Sequence, residues 1–196
     1  MDFSHGTDFE GEVGVILKGA KLGVKKEEAL KSVALITMIN DVSLRGLIPA
    51  ELKNGFGFMQ SKPSSSFGPF AVTPDELGED WTSEGKVTLP LHVEFNGEFF
   101  GKANGKEMFF GFDKLIEHAA KTRNLSAGTI IGSGTISNEN PEMGSSCLAE
   151  KRMLEKINTG EFKTEFMKDS DHIKMEMFDR DGISLFGQIS QRVKAL

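Results

Sequence analysis

The sequence of 196 residues has no tyrosine, one cysteine and one tryptophan. Without tyrosine, no phenolic acid or base is available to any mechanism. The lone Cys147 excludes an internal disulfide framework and suits a reducing, cytoplasmic setting. It reads as a small buried hydrophobe ahead of a nucleophile. No apolar run approaches the ~20 residues that cross a bilayer. The start, Met1-Asp2-Phe3-Ser4-His5-Gly6, is not the charged-then-apolar opening of a signal peptide. Basic residues are in the minority, 23 against 29 acidic, for a net charge of −6. That balance argues against a general binder of nucleic acid or anionic membrane. The histidines His5, His92, His118 and His172 show no metal-ligand spacing. Nor is there a G-x-S-x-G elbow, a P-loop or a complete dinucleotide fingerprint. Zinc enzymes, serine hydrolases and nucleotide-dependent enzymes therefore lose weight.

What the chain does have is two acidic clusters inside strand-like apolar runs. The first is Asp8-Phe9-Glu10-Gly11-Glu12-Val13-Gly14-Val15-Ile16-Leu17, the second Ile36-Thr37-Met38-Ile39-Asn40-Asp41-Val42-Ser43. Side chains alternate along a strand, so Glu10 and Glu12 share one face while Phe9, Val13 and Val15 take the other. Carboxylates beside apolar strands cost free energy unless something positive meets them. Oxygen ligands from Glu10, Glu12 and Asp41, converging from two strands, suit a hard cation such as Mg²⁺ or Ca²⁺. For a lone E-x-E pair, solvent-facing residues of a half-buried strand are the plainer reading.

Length and composition fit a single domain over 1–196 with a substantial core. Strand-like runs fall at 9–17, 33–42, 87–96, 128–137, 172–178 and 183–193. The last two frame the turn Asp179-Arg180-Asp181-Gly182 and predict a hairpin. Helical patterns cover 25–31, 113–122, with Asp113 as N-cap, and 145–157, opened by serines able to cap it. The stretch from Gly46 to Glu79, dense in Gly, Pro, Ser and Phe, reads as a long functional loop. The sum is an α+β fold with mostly antiparallel or mixed strands.

Four further sites could carry chemistry. Lys62, in Gly55-Phe56-Gly57-Phe58-Met59-Gln60-Ser61-Lys62-Pro63, offers a compact positive charge to a substrate carboxylate or carbonyl, or is a surface lysine. Arg45 binds a carboxylate bidentately or pairs with the acidic cluster. Gly132-Ser133-Gly134-Thr135-Ile136-Ser137 is a tight turn or a cradle for an anionic ligand. Glu150, one turn into its helix, complements the helix dipole or orients a catalytic base.

In their order and spacing these motifs resemble the fumarylacetoacetate hydrolase family across essentially the whole chain. The matching residues are Asp8 to Val13, Asn40-Asp41-Val42-Ser43-Leu44-Arg45, Gln60-Ser61-Lys62-Pro63, Gly132 to Ser137, and Gly144-Ser145-Ser146-Cys147. The resemblance implies a mostly β, roll-like catalytic domain that dimerises. It implies Mg²⁺ or Ca²⁺, with Mn²⁺ as a further candidate, on Glu10, Glu12 and Asp41. Gln60, Lys62, Arg45 and Thr135 would contact a diketo or 2-oxo acid substrate, and Glu150 would orient the general base. The implied chemistry is cleavage of a carbon–carbon bond in a fumarylacetoacetate-like β-diketo acid, in the setting of aromatic catabolism. Relatives decarboxylate, isomerise or hydrate 2-oxo acids. Family members carry a further segment before the E-x-E strand, supplying a histidine and another metal-ligating aspartate. Only Met1 to Thr7 precede Asp8 here, and His5 is too near Glu10 in sequence to be taken as that histidine. That segment is therefore expected to be absent, leaving the 9–17 strand with an open edge. It also keeps in play a reading as a metal-binding remnant without activity.

Overall fold

The computed structural model describes residues 2–195. Met1 and Leu196, the ends of the expected 1–196 domain, lie outside the described residues. The strands are β1 (Thr7–Asp8), β2 (Gly11–Leu17), β3 (Val33–Asn40), β4 (Ser43–Leu44), β5 (Ser66–Phe67), β6 (Pro90–Phe95), β7 (Glu98–Asn104), β8 (Ile130–Gly132), β9 (His172–Met177) and β10 (Ile189–Arg192). The α-helices are α1 (Lys26–Ala29), α2 (Ile48–Asn54), α3 (Phe112–Ala119) and α4 (Leu148–Thr159). There are two four-stranded antiparallel sheets, in the orders β5-β3-β2-β8 and β10-β9-β6-β7, and a short separate β1–β4 pair. This is the α+β, antiparallel fold expected.

Alternation builds the core. Phe9, just before β2, and Val13, Val15 and Leu17 of β2 take one face, and Leu91, Val93, Ile173, Met175 and Met177 leave one face of the second sheet; all are buried in one cluster. The Phe9 ring packs against Phe95 and Phe100 at centroid separations of 5.7 and 5.1 Å. Gly11 lies on the same face as Phe9, where a Cβ would run into Leu91. Its missing side chain is what lets the two sheets meet at that point. Burying such side chains contributes on the order of 1.5–3 kcal/mol each, so this shared core is the main support for the strands that carry the acidic residues.

Several expectations are corrected. β2 has no open edge, because Gly14–Ile16 pair with Ile130–Gly132 of β8 and the other side pairs with β3. The run at 128–137 supplies the covering strand. The 46–79 segment is not one loop: it holds α2, with Pro49 in the first turn and Gly55 closing the helix at φ 76°. β7 was not anticipated. It follows β6 through Asn96-Gly97, both at positive φ, a turn chemistry suited to a tight hairpin. The hairpin of β9 and β10 forms as expected, although β10 is confined to Ile189–Arg192. Gly111, not Asp113, is the N-cap of α3. Cys147 rather than a serine caps α4, its sulfur accepting the Glu150 amide at 3.4 Å. Among the described residues, no helix is long and apolar enough to cross a membrane.

Candidate metal centre

The carboxylates meet because the backbone forces them to. Gly11 pairs with Asn40 at the end of β3, and the next amide, that of Asp41, donates to the Glu10 carbonyl at 2.9 Å. Glu10 and Glu12 leave the same face of their strand, so the three acidic side chains converge. Their ligand oxygens lie within 4.8 Å of one another, with Glu10 and Glu12 buried and Asp41 half-buried.

Two cations answer them. The Lys62 ammonium donates to Glu10 Oε2 at 2.6 Å, to Asp41 Oδ2 at 2.7 Å and to Ser43 Oγ at 2.8 Å. Arg45 Nη2 lies 2.7 Å from Glu10 Oε1, and its Nε donates to Asp8 Oδ2 at 2.8 Å. Ser65 donates to the second Asp41 oxygen at 2.7 Å. For both Lys62 and Arg45, burial alone would favour the neutral form. The adjacent carboxylates outweigh it and hold both groups above their ordinary pKa values.

Asp8 was not assigned a role from sequence, yet it is completely buried and anchors the site. Besides Arg45, it accepts the amides of Leu148 and Ala149 at 2.7 and 2.9 Å, so it closes the N-terminus of α4 from 140 residues away in sequence. Burial pushes its carboxyl above the usual range against the pull of Arg45 and those amides. Also missed was the polar relay behind the centre. Asn40 Oδ1 accepts the Glu10 amide at 3.2 Å, Asn40 Nδ2 donates to Gln191 Oε1 at 3.1 Å, and Gln191 Nε2 donates to Ser66 at 2.6 Å. The position of Asp8 two residues before the E-x-E pair was a usable signal; Gln191 offered none.

Glu12 completes the geometry. Its Oε2 accepts the Gly134 amide at 3.2 Å, which brings the Gly-x-Gly loop onto the acidic cluster. A Cβ at Gly132 would collide with that same oxygen, so the glycine leaves the room Glu12 occupies. Burial, then the charges of Asp41 and Glu10, push the Glu12 carboxyl up to about 7.

The donor set fits a hard divalent cation. Among the described residues, the cations that meet Asp8, Glu10, Glu12 and Asp41 are Arg45 and Lys62, which leaves two negative charges when all four acids are ionised.

The remaining expected residues are placed as follows. Thr135 follows Gly134 and lines a cavity of about 250 Å³ with Ser133, Ser137, Phe109 and Phe110. Glu150 accepts a hydrogen bond from Ser137 through Oε1, while its buried Oε2 has no partner among the described residues. Gln60 is exposed, and its backbone amide rather than its side chain is held, by Glu51 at 2.6 Å. Cys147 is buried, and burial followed by the Asp8 charge pushes its thiol up to about 12. That protonated state removes it as a nucleophile at neutral pH.

Among curated proteins, the chain is 32% identical over 135 residues to 2,4-didehydro-3-deoxy-L-rhamnonate hydrolase of Sphingomonas sp. (strain SKA58), covering 67% of this chain and 44% of that protein. It is 29% identical over 128 residues to oxaloacetate tautomerase YisK of Bacillus subtilis (strain 168), covering 65% and 40%. The chain thus spans a little under half the length of these curated relatives. The fold matches the crystal structure of fumarylpyruvate hydrolase from Pseudomonas aeruginosa in complex with Mn²⁺ and pyruvate, with TM-score 0.68 and 14% identity over 96% of this chain and 66% of that one. Residues 2–194 match the fumarylacetoacetate (FAA) hydrolase C-terminal family, and the chain belongs to it.

Proposed function

We propose that this chain is the catalytic region of a divalent-metal-dependent hydrolase that cleaves a carbon–carbon bond in a fumarylacetoacetate-like β-diketo acid. The observation that carries the reading is the convergence of Glu10, Glu12 and Asp41 on one point beside Lys62. Mg²⁺, Ca²⁺ or Mn²⁺ bound there supplies Lewis acidity toward a chelating dicarbonyl.

The chain's own residues do the rest. Arg45 uses two donors on Asp8 and Glu10, which fixes the ligand Glu10 and leaves further N–H groups for a substrate carboxylate. Lys62 supplies a fixed positive charge where negative charge develops on an oxygen. Thr135, on the loop tied to Glu12, offers a hydroxyl to the other end of the substrate, and the exposed Gln60, two residues before Lys62, offers it a side-chain amide. Glu150, hydrogen-bonded by Ser137 at the end of that loop, orients the group that takes a proton from water. In the overall reaction the bond between an acyl carbon and its enolisable neighbour breaks. The water oxygen ends on the acyl carbon as a carboxylate, and a proton ends on the released carbon.

The second reading keeps the site and changes the reaction to isomerisation, decarboxylation or hydration of a 2-oxo acid. It is favoured by the similarity to an oxaloacetate tautomerase. The exposed Leu52, Phe56, Phe58, Met59 and Phe70 further support a homodimer that covers them.

A panel of acylpyruvates and oxaloacetate, assayed with each metal, separates the two reactions. Turnover of acylpyruvates should depend on added metal and fall at least a hundredfold in Glu12→Ala and Asp41→Ala. Full metal-dependent turnover in either variant would sink the site assignment.

A further inference from the structure

The loop that delivers Lys62 is the weakest-looking support near the metal centre. Phe56 is 97% and Met59 81% exposed, and the backbone turns through Gly55 and Gly57 at φ 76° and 92°. Within one chain, such a segment has little apolar burial to hold it. Yet Ser61 is completely buried, and the next residue sets its ammonium across Glu10 and Asp41.

One carboxylate accounts for the change. Glu51, in α2, accepts the successive amides of Met59, Gln60 and Ser61 at 3.0, 2.6 and 3.3 Å, and also the Ser61 hydroxyl. On the other side, the Ser61 carbonyl accepts the Leu44 amide of β4 at 2.8 Å. Successive amides turned toward one point form an anion-binding concavity, and here the chain provides the anion itself. The Ser61 hydroxyl first, then these amides, hold the Glu51 carboxyl down to about 2, so it is ionised throughout the neutral range.

We infer that Glu51 is a positioning residue for Lys62: by gathering the 59–61 amides it fixes the pose in which the ammonium lies on Glu10 and Asp41. It thereby sets how strongly Lys62 competes with a divalent ion for those two ligands. The inference rests on the metal-centre reading above and moves control of that centre to a residue hydrogen-bonded to none of its carboxylates.

The sign of one measurement separates this from a merely structural role. Neutralising Glu51 removes a distant negative charge, which by itself weakens cation binding. Releasing Lys62 removes a positive charge in direct contact with two ligands, which strengthens it. Contact dominates over distance, so the net effect is tighter binding.

The test is a calorimetric Mn²⁺ titration of the full chain as wild type, Glu51→Gln, Lys62→Met and the double variant. Amide exchange at Met59, Gln60 and Ser61 is followed by NMR. Lys62→Met should tighten Mn²⁺ by about tenfold and Glu51→Gln by about threefold, with the double variant no tighter than Lys62→Met. The three amides should exchange at least about tenfold faster in Glu51→Gln and keep their wild-type rates in Lys62→Met. Unchanged or weaker Mn²⁺ binding in Glu51→Gln, or additive gains in the double variant, would overturn the inference. If the wild type binds no Mn²⁺, the metal-centre reading falls by itself. The positioning role is then decided by acetylation of Lys62 with acetic anhydride, expected to be faster in Glu51→Gln and refuted by equal rates. Should Glu51→Gln not fold, Glu51→Asp, which keeps the charge but shortens the reach, enters the same comparisons.

Discussion

β2 and the β6–β9 pair carry the same alternation and use it in opposite ways. In β2 and the residues leading into it, Phe9, Val13 and Val15 face the core, and Glu10 and Glu12 face away. In β6 and β9, Leu91, Val93, Met175 and Met177 face that same core, while Glu94 and Lys174 face away. Glu94 and Lys174 stand opposite each other in register, 3.1 Å apart, with side chains 45% and 31% exposed. The Glu10 side chain is 9% exposed, roofed by Arg45 and Lys62. The strand pattern does not distinguish a solvated polar row from a buried one. What covers the row does, and over β2 the cover comes from the 41–66 segment and the 132–135 loop.

The sharpest way to break that comparison is to remove Asp8, where the buried row meets α4. Asp8→Ala leaves the half-buried Arg45 without one of its two acidic partners and frees the Leu148 and Ala149 amides at a helix start. Losing a fully buried carboxylate that holds a half-buried guanidinium, together with a cap, should cost about 3–5 kcal/mol. Urea unfolding, with the slope unchanged, would measure it. A loss below ~1 kcal/mol would place Asp8 among ordinary surface acids and erase the distinction.

This asymmetry also explains what could be read from the sequence. β2 and β3 were legible as runs of β-branched and apolar residues, with Glu10, Glu12 and Asp41 at fixed offsets within or beside them. Lys62 and the Gly132–Ser137 loop were legible through motif order, which also gave the family. β7 was missed because Lys102, Asn104 and the exposed Phe99 dilute its apolar row, although the Asn96-Gly97 turn announced it. α2 was hidden in a Gly- and Phe-rich stretch, with Pro49 and Gly55 marking its ends. Asp8 and Glu51 were not legible as supports. Their bonds, to α4 and to the Lys62 loop, depend on where the folded chain brings distant or irregular segments, and no local spacing encodes that.

A second test uses pH and should have an effect on the order of 3 kcal/mol, spread over about two and a half units. The Glu12 carboxyl sits at about 7 in the folded protein against 4.5 when free. Between those values the native state binds more protons than the unfolded state, so stability falls as pH rises. In chelator-treated protein this contribution should be fully present below pH 4.5 and lost by pH 7–8. Added Mg²⁺ should then stabilise far more at pH 8 than at pH 5, because protons compete for the same oxygens. Thermal melts at fixed ionic strength check both slopes. Metal stabilisation that is equal at the two pH values would remove Glu12 from the cation's ligand set.

The smallest expected effect comes from the other sheet, and its smallness is the point. Glu94 and Lys174 are a cross-strand pair in direct register, close enough to attract yet wet on their outer sides. Water and mobile ions screen them, and holding two long side chains in one geometry costs rotamer entropy. A double-mutant cycle with Glu94→Ala and Lys174→Ala should therefore give a coupling of about 0.3–0.5 kcal/mol that vanishes in 1 M salt. The same cycle on Glu10 and Lys62, where burial limits screening, should give several times more and keep most of it in salt. A Glu94–Lys174 coupling above ~1.5 kcal/mol, or one that survives 1 M salt, would mean that exposure does not separate the two rows. The buried placement of Glu10 and Glu12 would then lose its force as evidence for a functional centre.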